Sequence, residues 1–258
     1  MDMWQNRTDK DWERLAAEDP YFAVITRNQY RRGRLDENAL DEFFDSGRAH
    51  AEQVMQTIRA KLAPDFHPRR ALDFGCGVGR VLIPLASMCE SVVGVDVSQS
   101  MLLEAGKNCR ARGVTNAELV RADDALSGLT GEFDFIHSFI VFQHIPVRRG
   151  ERLAARLLDL LAEGGVAALH FTYCERASLA RRMIEWSRKS VPLLGGLINV
   201  LHGRPARSPL MQTNHYDLNR IFRLLHERGC GEAFLQSTNH MGLLGVLIYC
   251  RKSIGNAK

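Results

Sequence analysis

Residues 71–80 read Ala-Leu-Asp-Phe-Gly-Cys-Gly-Val-Gly-Arg, so an acid, Asp73, is followed by glycines alternating at Gly75, Gly77 and Gly79. Glycine accepts positive φ and carries no Cβ to keep a ligand away, which suits a backbone cradle. Asp96 lies 21 positions after Gly75 and ends the run Ser-Val-Val-Gly-Val-Asp. A carboxylate there, at the carboxyl end of a second buried strand, is where a βαβ nucleotide site accepts hydrogen bonds from ribose hydroxyls. Asp123 and Asp124 close a third strand-like run, 117–122. Acids at that end lie on the ligand side of a parallel sheet. Together these residues describe a nucleotide-type site.

A dinucleotide fingerprint places a further glycine three residues after the second, against the pyrophosphate. Here Arg80 stands in that place. The pattern Asp-x-Gly-x-Gly-x-Gly with a later Gly-x-Asp resembles motif I and its acidic partner in class I S-adenosylmethionine-dependent methyltransferases. That resemblance implies a loop beneath the methionine part of the donor. Asp73, Gly75, Cys76, Gly77 and Gly79 would hold its amino-acid end, and Arg80 would orient the loop or the donor's carboxylate. Asp96, with Val97 beside it, would take the ribose. Asp123 best matches the acid that meets the adenine amino group, and Asp124 comes second. Met101 falls where the family often packs an apolar residue on adenine, and it reads equally as a core methionine.

The family's fourth strand ends beside the reactive sulfonium, which puts Ser138, Phe139 and His144 near the methyl group; His137 reads as interior to the strand. Methyl transfer is an in-line displacement at an activated carbon, so the protein mainly aligns the partners and excludes water. A hydroxyl acceptor also gains from a base, a task that suits histidine at neutral pH. His144 is the first choice by location, with His215 and His240 in reserve. The Asp-Pro-Pro-Tyr type of signature is absent after strand four, which argues against DNA or glutamine nitrogen acceptors.

A parallel sheet must position these residues. The order from 70 to 161 reads strand, helix, strand, helix, strand, strand, helix. The helix after the glycine loop is expected to run to about Glu90, with Pro84 in its first turn. Ser98 caps a helix over 99–112 that Gly113 ends. Residues 133–142 form a near-continuous apolar run, as in a central strand buried on both faces. A helix over 147–162, a Gly164-Gly165 turn and a strand over 166–173 follow. That turn resembles the family's Leu-x-Pro-Gly-Gly, with Glu163 replacing proline. A helix over 216–228 and strands over 232–238 and 243–250 match the family's terminal hairpin. The expected fold is α/β: a Rossmann-like, doubly wound, seven-stranded, mostly parallel sheet with an antiparallel terminal hairpin, plus N-terminal helices and a helical insertion.

The resemblance covers 70–173 strongly and 216–251 moderately. Residues 1–68 are expected to form an N-terminal helical cap, with helices over 9–19 and 35–63, and 69–258 the methyltransferase domain. Tyr21, Phe22, Arg27 and Tyr30 either line the substrate cavity or dock the cap on the core. The insertion 174–215 is basic and contains Trp186. It reads as a lid or substrate platform, as a shallow contact with a membrane or lipid-linked substrate, or as a helix pair covering the sheet edge or a homodimer contact.

The 45% hydrophobic and 25% charged content is ordinary for a globular chain of 258 residues. Net charge is only +4 and no long Lys/Arg block occurs. An RNA acceptor would call for a contiguous basic surface or an added module. The six cysteines show no metal spacing and read as reduced, buried thiols. The N-terminus is too polar for a secretory signal and no apolar run is long enough to span a bilayer, so a cytoplasmic location is expected. The expected activity is S-adenosylmethionine-dependent methylation of a small-molecule acceptor, at a hydroxyl of a sugar or metabolite, with no metal and no nucleic-acid partner. The alternatives are an RNA methyltransferase, a non-catalytic S-adenosylmethionine-binding protein, and an NAD-dependent oxidoreductase that Arg80 disfavours.

Overall fold

Alternation and apolar runs set seven strands: β1 (Arg70–Phe74), β2 (Ser91–Asp96), β3 (Ala117–Arg121), β4 (Phe133–Ser138), β5 (Leu161–Glu175), β6 (Glu232–His240) and β7 (Leu243–Arg251). The computed structural model describes residues 5–176 and 213–255. The strands form one sheet in the order β3-β2-β1-β4-β5-β7-β6. β1 to β5 pair in parallel, and β7 runs antiparallel to both β5 and β6. The order reverses between β1 and β4. A crevice opens at such a reversal, outside the carboxyl ends of the strands.

Helices cover both faces. On one side α6 (Val147–Asp159) and α7 (Leu218–Glu227) bury Leu153, Leu157, Ile221 and Leu225 with Phe142 and Phe171. On the other, α3 (Glu37–Lys61), α4 (Leu82–Ala86) and α5 (Gln99–Ala111) bury Val54, Ile58, Leu85 and Leu102 against Ala71 and Phe135. The Asp36 carboxylate caps α3 by accepting from Ala39 N at 2.8 Å. Ser98 caps α5 by accepting from Met101 N at 3.1 Å.

α1 (Gln5–Glu18) and α2 (Pro20–Val24) share a third apolar cluster with α3, Val78 and Met101. The aromatic stretch between α1 and α3 is docking material. Tyr21 and Tyr30 pack edge-on against Phe43, with centroids 5.3 and 5.2 Å away. Tyr21 Oη also donates to Asn108 Oδ1 at 2.9 Å. Phe22 carries the Arg31 guanidinium on its ring at 3.7 Å.

Four element boundaries differ from the sequence expectation, each for a local reason. α4 stops at Ala86 because the Asn116 side chain donates to the freed carbonyls of Ala86, Cys89 and Glu90 at 2.8–3.2 Å. The run expected as strand over 133–142 leaves the sheet after Ser138. Ile140 then turns at φ 60°, a strained value for a β-branched residue, and Phe142–His144 forms a 3-10 turn. α6 ends at Asp159. β5 starts at once at Leu161 and absorbs Gly164-Gly165 in an irregular register opposite β4. Most of the predicted insertion, 177–212, lies outside the described residues, and with it the lid, membrane and dimer readings. Among the described residues no helix is long and apolar enough to cross a membrane.

Candidate active site

The crevice predicted by strand order is present as a cavity of about 1040 Å³, part of it continuous with solvent. Its floor is the carboxyl edge of the sheet. Of the residues predicted from sequence, Gly75, Gly77, Arg80, Asp96, Val97, Met101, Asp123, Phe139 and His144 line it.

Gly75 and Gly77 adopt φ of 77° and 54°. A Cβ on Gly75 would come within 2.3 Å of Val141, across the cavity wall, so a side chain there would close the cleft. Asp96 holds the loop from the neighbouring strand: Oδ2 accepts from Gly77 N and Oδ1 from Ser98 N, both at 2.9 Å. Burial raises its carboxyl to about 6, against the pull of those two amides, with nearby Asp73 adding to the rise. Arg80 is sunk beside the loop. Burial lowers its pKa, and Asp73 acts in the opposite sense. Its guanidinium donates to Ser46 Oγ at 3.4 Å, and no carboxylate of the described residues forms an ion pair with it. A weakly compensated cation in a cavity wall calls for an anionic ligand group.

Other predicted residues lie elsewhere. Asp73 sits beneath the loop, 3% exposed, bound to a histidine rather than facing the cavity. Cys76 is buried against Gly94, where burial raises its thiol well above normal. Gly79 faces Ile83 and Ala105. Ser138 is fully buried behind the wall. Asp124 pairs with Arg149. Asp123 does border the cavity, but its carboxylate accepts from Ser127 and from Ala125 N in a turn of its own.

Sequence reasoning missed the roof. Thr8, Asp9 and Trp12 of α1 close the cavity from above. Arg149, 7% exposed, clasps Asp9 with two nitrogens at 2.6 and 2.9 Å and Asp124 with its Nε at 2.7 Å. Glu13 accepts from the hydroxyls of Ser98 and Ser100 at 2.8 and 2.5 Å. The pairs that hold α1 span 85 to 140 positions, so no local pattern announces them. His144 packs edge-on against Trp12, centroids 4.9 Å apart. Its Nε2 lies 3.1 Å from Gln143 Nε2, while Gln143 Oε1 accepts from Thr172 Oγ1 at 2.8 Å. The Gln143 amide is thus the donor, and the His144 Nε2 lone pair is already in use.

A second group was foreseen only in pieces, with Phe139 and His240 as site candidates and His137 as a strand residue, and not as a cluster. His137 Nδ1 donates to Asp73 Oδ1 at 2.8 Å, both buried. His137 Nε2 lies 3.0 Å from Nε2 of His50, which α3 supplies. Phe139 lines the cavity and packs against His50, His170 and His240, at centroid distances of 4.2, 5.0 and 5.5 Å. Burial pushes His50 down to about 2, helped by His137 and Arg80, and burial with His240 pushes His170 down to about 3. Both imidazoles are therefore neutral at physiological pH. Among the described residues no three His, Cys, Asp or Glu side chains converge as a metal site.

An open parallel sheet in this order, with an antiparallel seventh strand and a glycine loop answered by an acid on β2, defines a class I methyltransferase fold. Residues 71–165 match the family described as "Methyltransferase domain". An uncharacterized RNA methyltransferase of Thermosynechococcus vestitus is 31% identical over 141 residues, covering 54% of this chain and 29% of that protein. A ubiquinone biosynthesis O-methyltransferase of Methylococcus capsulatus is 33% identical over 79 residues, covering 30% of this chain and 33% of that protein. Among solved structures, magnesium protoporphyrin IX methyltransferase of Synechocystis PCC 6803 with bound SAH superposes with a TM-score of 0.59 at 20% identity, covering 93% of this chain and 100% of that one. The chain spans between 24% and 33% of the length of the curated relatives it matches.

Proposed function

We propose that this protein is an S-adenosylmethionine-dependent methyltransferase acting on a hydroxyl of a small-molecule acceptor. The observation that carries the donor assignment is Asp96. Two backbone amides hold it on the cavity wall, with its remaining lone pairs available to the two hydroxyls of a ribose. The other residues fit the same ligand. The loop at Gly75 leaves backbone space where a Cβ would strike Val141, and Arg80 offers a buried cation to a carboxylate. Met101, Val97 and Ile145 supply apolar wall for a base, and Asp123 borders it. Bound S-adenosylmethionine supplies a methyl carbon already activated for displacement.

The chain's own part is to orient and to keep water out. α1 roofs the cavity through the Arg149 and Glu13 contacts, and Trp12 and His144 form an aromatic wall at its mouth. A roofed cavity suits a small acceptor that enters whole. His144, tied to Gln143, is proposed to shape the space beside the methyl group.

Calorimetric titration with S-adenosylhomocysteine tests the donor site: wild type binds, and Asp96→Ala loses most of the affinity. Unchanged affinity would remove the ribose assignment. A second reading, RNA as acceptor, draws on relatives named as RNA methyltransferases, including the 23S rRNA (uracil(1939)-C(5))-methyltransferase of Pseudomonas entomophila. Supplying labelled donor with total RNA in one arm and a cell's small-molecule fraction in the other separates the two. Label in RNA alone would overturn the small-molecule assignment.

A further inference from the structure

The buried Asp73–His137–His50 chain has no part in holding a nucleotide, yet it ends beside two cavity residues, Arg80 and Phe139. Its construction is demanding. Asp73 and His137 are opposite each other in the β1–β4 register, so two neighbouring strands aim a carboxylate and an imidazole at each other. His50 comes from a helix that sits directly on the glycine loop: a Cβ on Gly47, one turn earlier, would lie 2.0 Å from Arg80 O. Asp73 can only accept, so His137 donates from Nδ1. The two Nε2 atoms then share a single proton. Nδ1 of His50 has no hydrogen-bond partner among the described residues.

We infer that this chain is the proton sink of the methyl-transfer reaction, with His50 meeting the acceptor hydroxyl and His137, backed by Asp73, keeping its proton. The inference rests on the methyltransferase reading above. The step balances as follows. The acceptor O–H bond breaks and leaves its electron pair on oxygen for the new bond to carbon, while the carbon–sulfur bond breaks and returns its pair to sulfur as the thioether. The proton joins Nδ1 of His50, and His50 releases its Nε2 proton to Nε2 of His137. His137 becomes an imidazolium beside the Asp73 carboxylate, and His50 ends neutral with its tautomer exchanged. Burial and the Arg80 charge oppose a cation on His50, which makes it a conduit rather than a store. His137 alone has a carboxylate within hydrogen-bond distance to stabilise the charge. The other titratable groups facing His50 are His170 of β5 and His240 of β6, both held neutral by burial. His50 is the catalytic residue of this chain; His137 and Asp73 act through it.

The test needs no knowledge of the acceptor. S-adenosylmethionine carries a sulfonium charge and S-adenosylhomocysteine does not, while their remaining groups are the same. A proton sink near the reacting carbon must therefore be easier to protonate with the thioether bound. Each ligand is titrated calorimetrically into the full chain near pH 6.5, in two buffers of different ionisation heat. The expected result is that S-adenosylhomocysteine binding takes up measurably more proton than S-adenosylmethionine binding. Asp96 contributes equally to both titrations and cancels. The difference is expected to vanish in His137→Gln, and in Asp73→Asn should the first variant not fold, with affinities within about threefold of wild type. Equal proton uptake for the two ligands in wild type overturns the sink, and so does a difference that survives in a folded variant. Absence of binding by either ligand sinks the donor site itself, and the sink with it.

Discussion

The two halves of this molecule were assembled by different rules. In the donor half, Gly75, Gly77, Arg80, Asp96 and Met101 come from 27 consecutive residues, and strand–turn–helix geometry alone delivers them to one crevice. In the proposed acceptor half, His50 of α3, His170 of β5 and His240 of β6 meet around one ring, Phe139, and His137 of β4 joins them through His50. The matched family region, 71–165, contains the whole donor set but only His137 of the four histidines. A motif evolved around a fixed ligand stays local, whereas a site that must change with its acceptor is recruited from wherever the fold supplies side chains.

Asp96 carries the largest expected effect. Asp96→Ala removes the acceptor of both ribose hydroxyls and is expected to weaken S-adenosylhomocysteine about 100-fold or more by calorimetry, at about 1.5–3 kcal/mol per charge-assisted hydrogen bond. A loss below threefold would mean the donor half does not hold the donor. Next comes the junction of the halves. Gly47→Ala drives a Cβ against the Arg80 carbonyl, 2.0 Å away before any relaxation. The helix must back off, and we expect a loss of up to about 3 kcal/mol in denaturant unfolding.

Arg149→Met should cost about 2 kcal/mol of stability, less than a fully buried pair because Asp9 and Asp124 are partly solvated. It should also loosen the α1 roof, read as faster proteolysis within α1. No change in either would mean the roof is held by packing alone.

The smallest effect is a pH dependence. Asp96 has its carboxyl raised to about 6 in the ligand-free protein, and the ribose hydroxyls need the ionised form. Donor affinity is therefore full above pH 6 and declines as pH falls through that value, by up to about tenfold per unit. The apoprotein shows the opposite sign: a raised carboxyl favours folding as pH drops from 6 toward 4. Affinity that rises below pH 6 would show the site wants a protonated acid.

Much of the scaffold was legible from sequence because periodicity and punctuation carry it. Ser98 and Gly113 marked helix ends that the structure keeps. The strand boundaries near Gly164 and after Ser138 were not legible. There the backbone follows register and a positive φ at Ile140 that no residue type signals. Asp123 shows the limit for side chains: it borders the cavity as expected, but Ser127 four residues on takes its carboxylate into a turn. Of the four histidines only His240 stood out, as a reserve base, and the cluster left no trace. A His within an apolar strand, such as His137, reads as a satisfied core residue until its partners are seen.

What the sequence by itself determined is the donor crevice. Short-range rules of backbone conformation oblige a run of glycines between strand and helix, with an acid at the next strand's end, to open one. What only the tertiary structure decided is which side chains face each other across it. Arg149 reaches Asp9 and His137 reaches His50 over separations of 140 and 87 residues. Contacts so distant in sequence are selected by packing of the finished fold, where burial makes a hydrogen bond obligatory and so makes its partner specific.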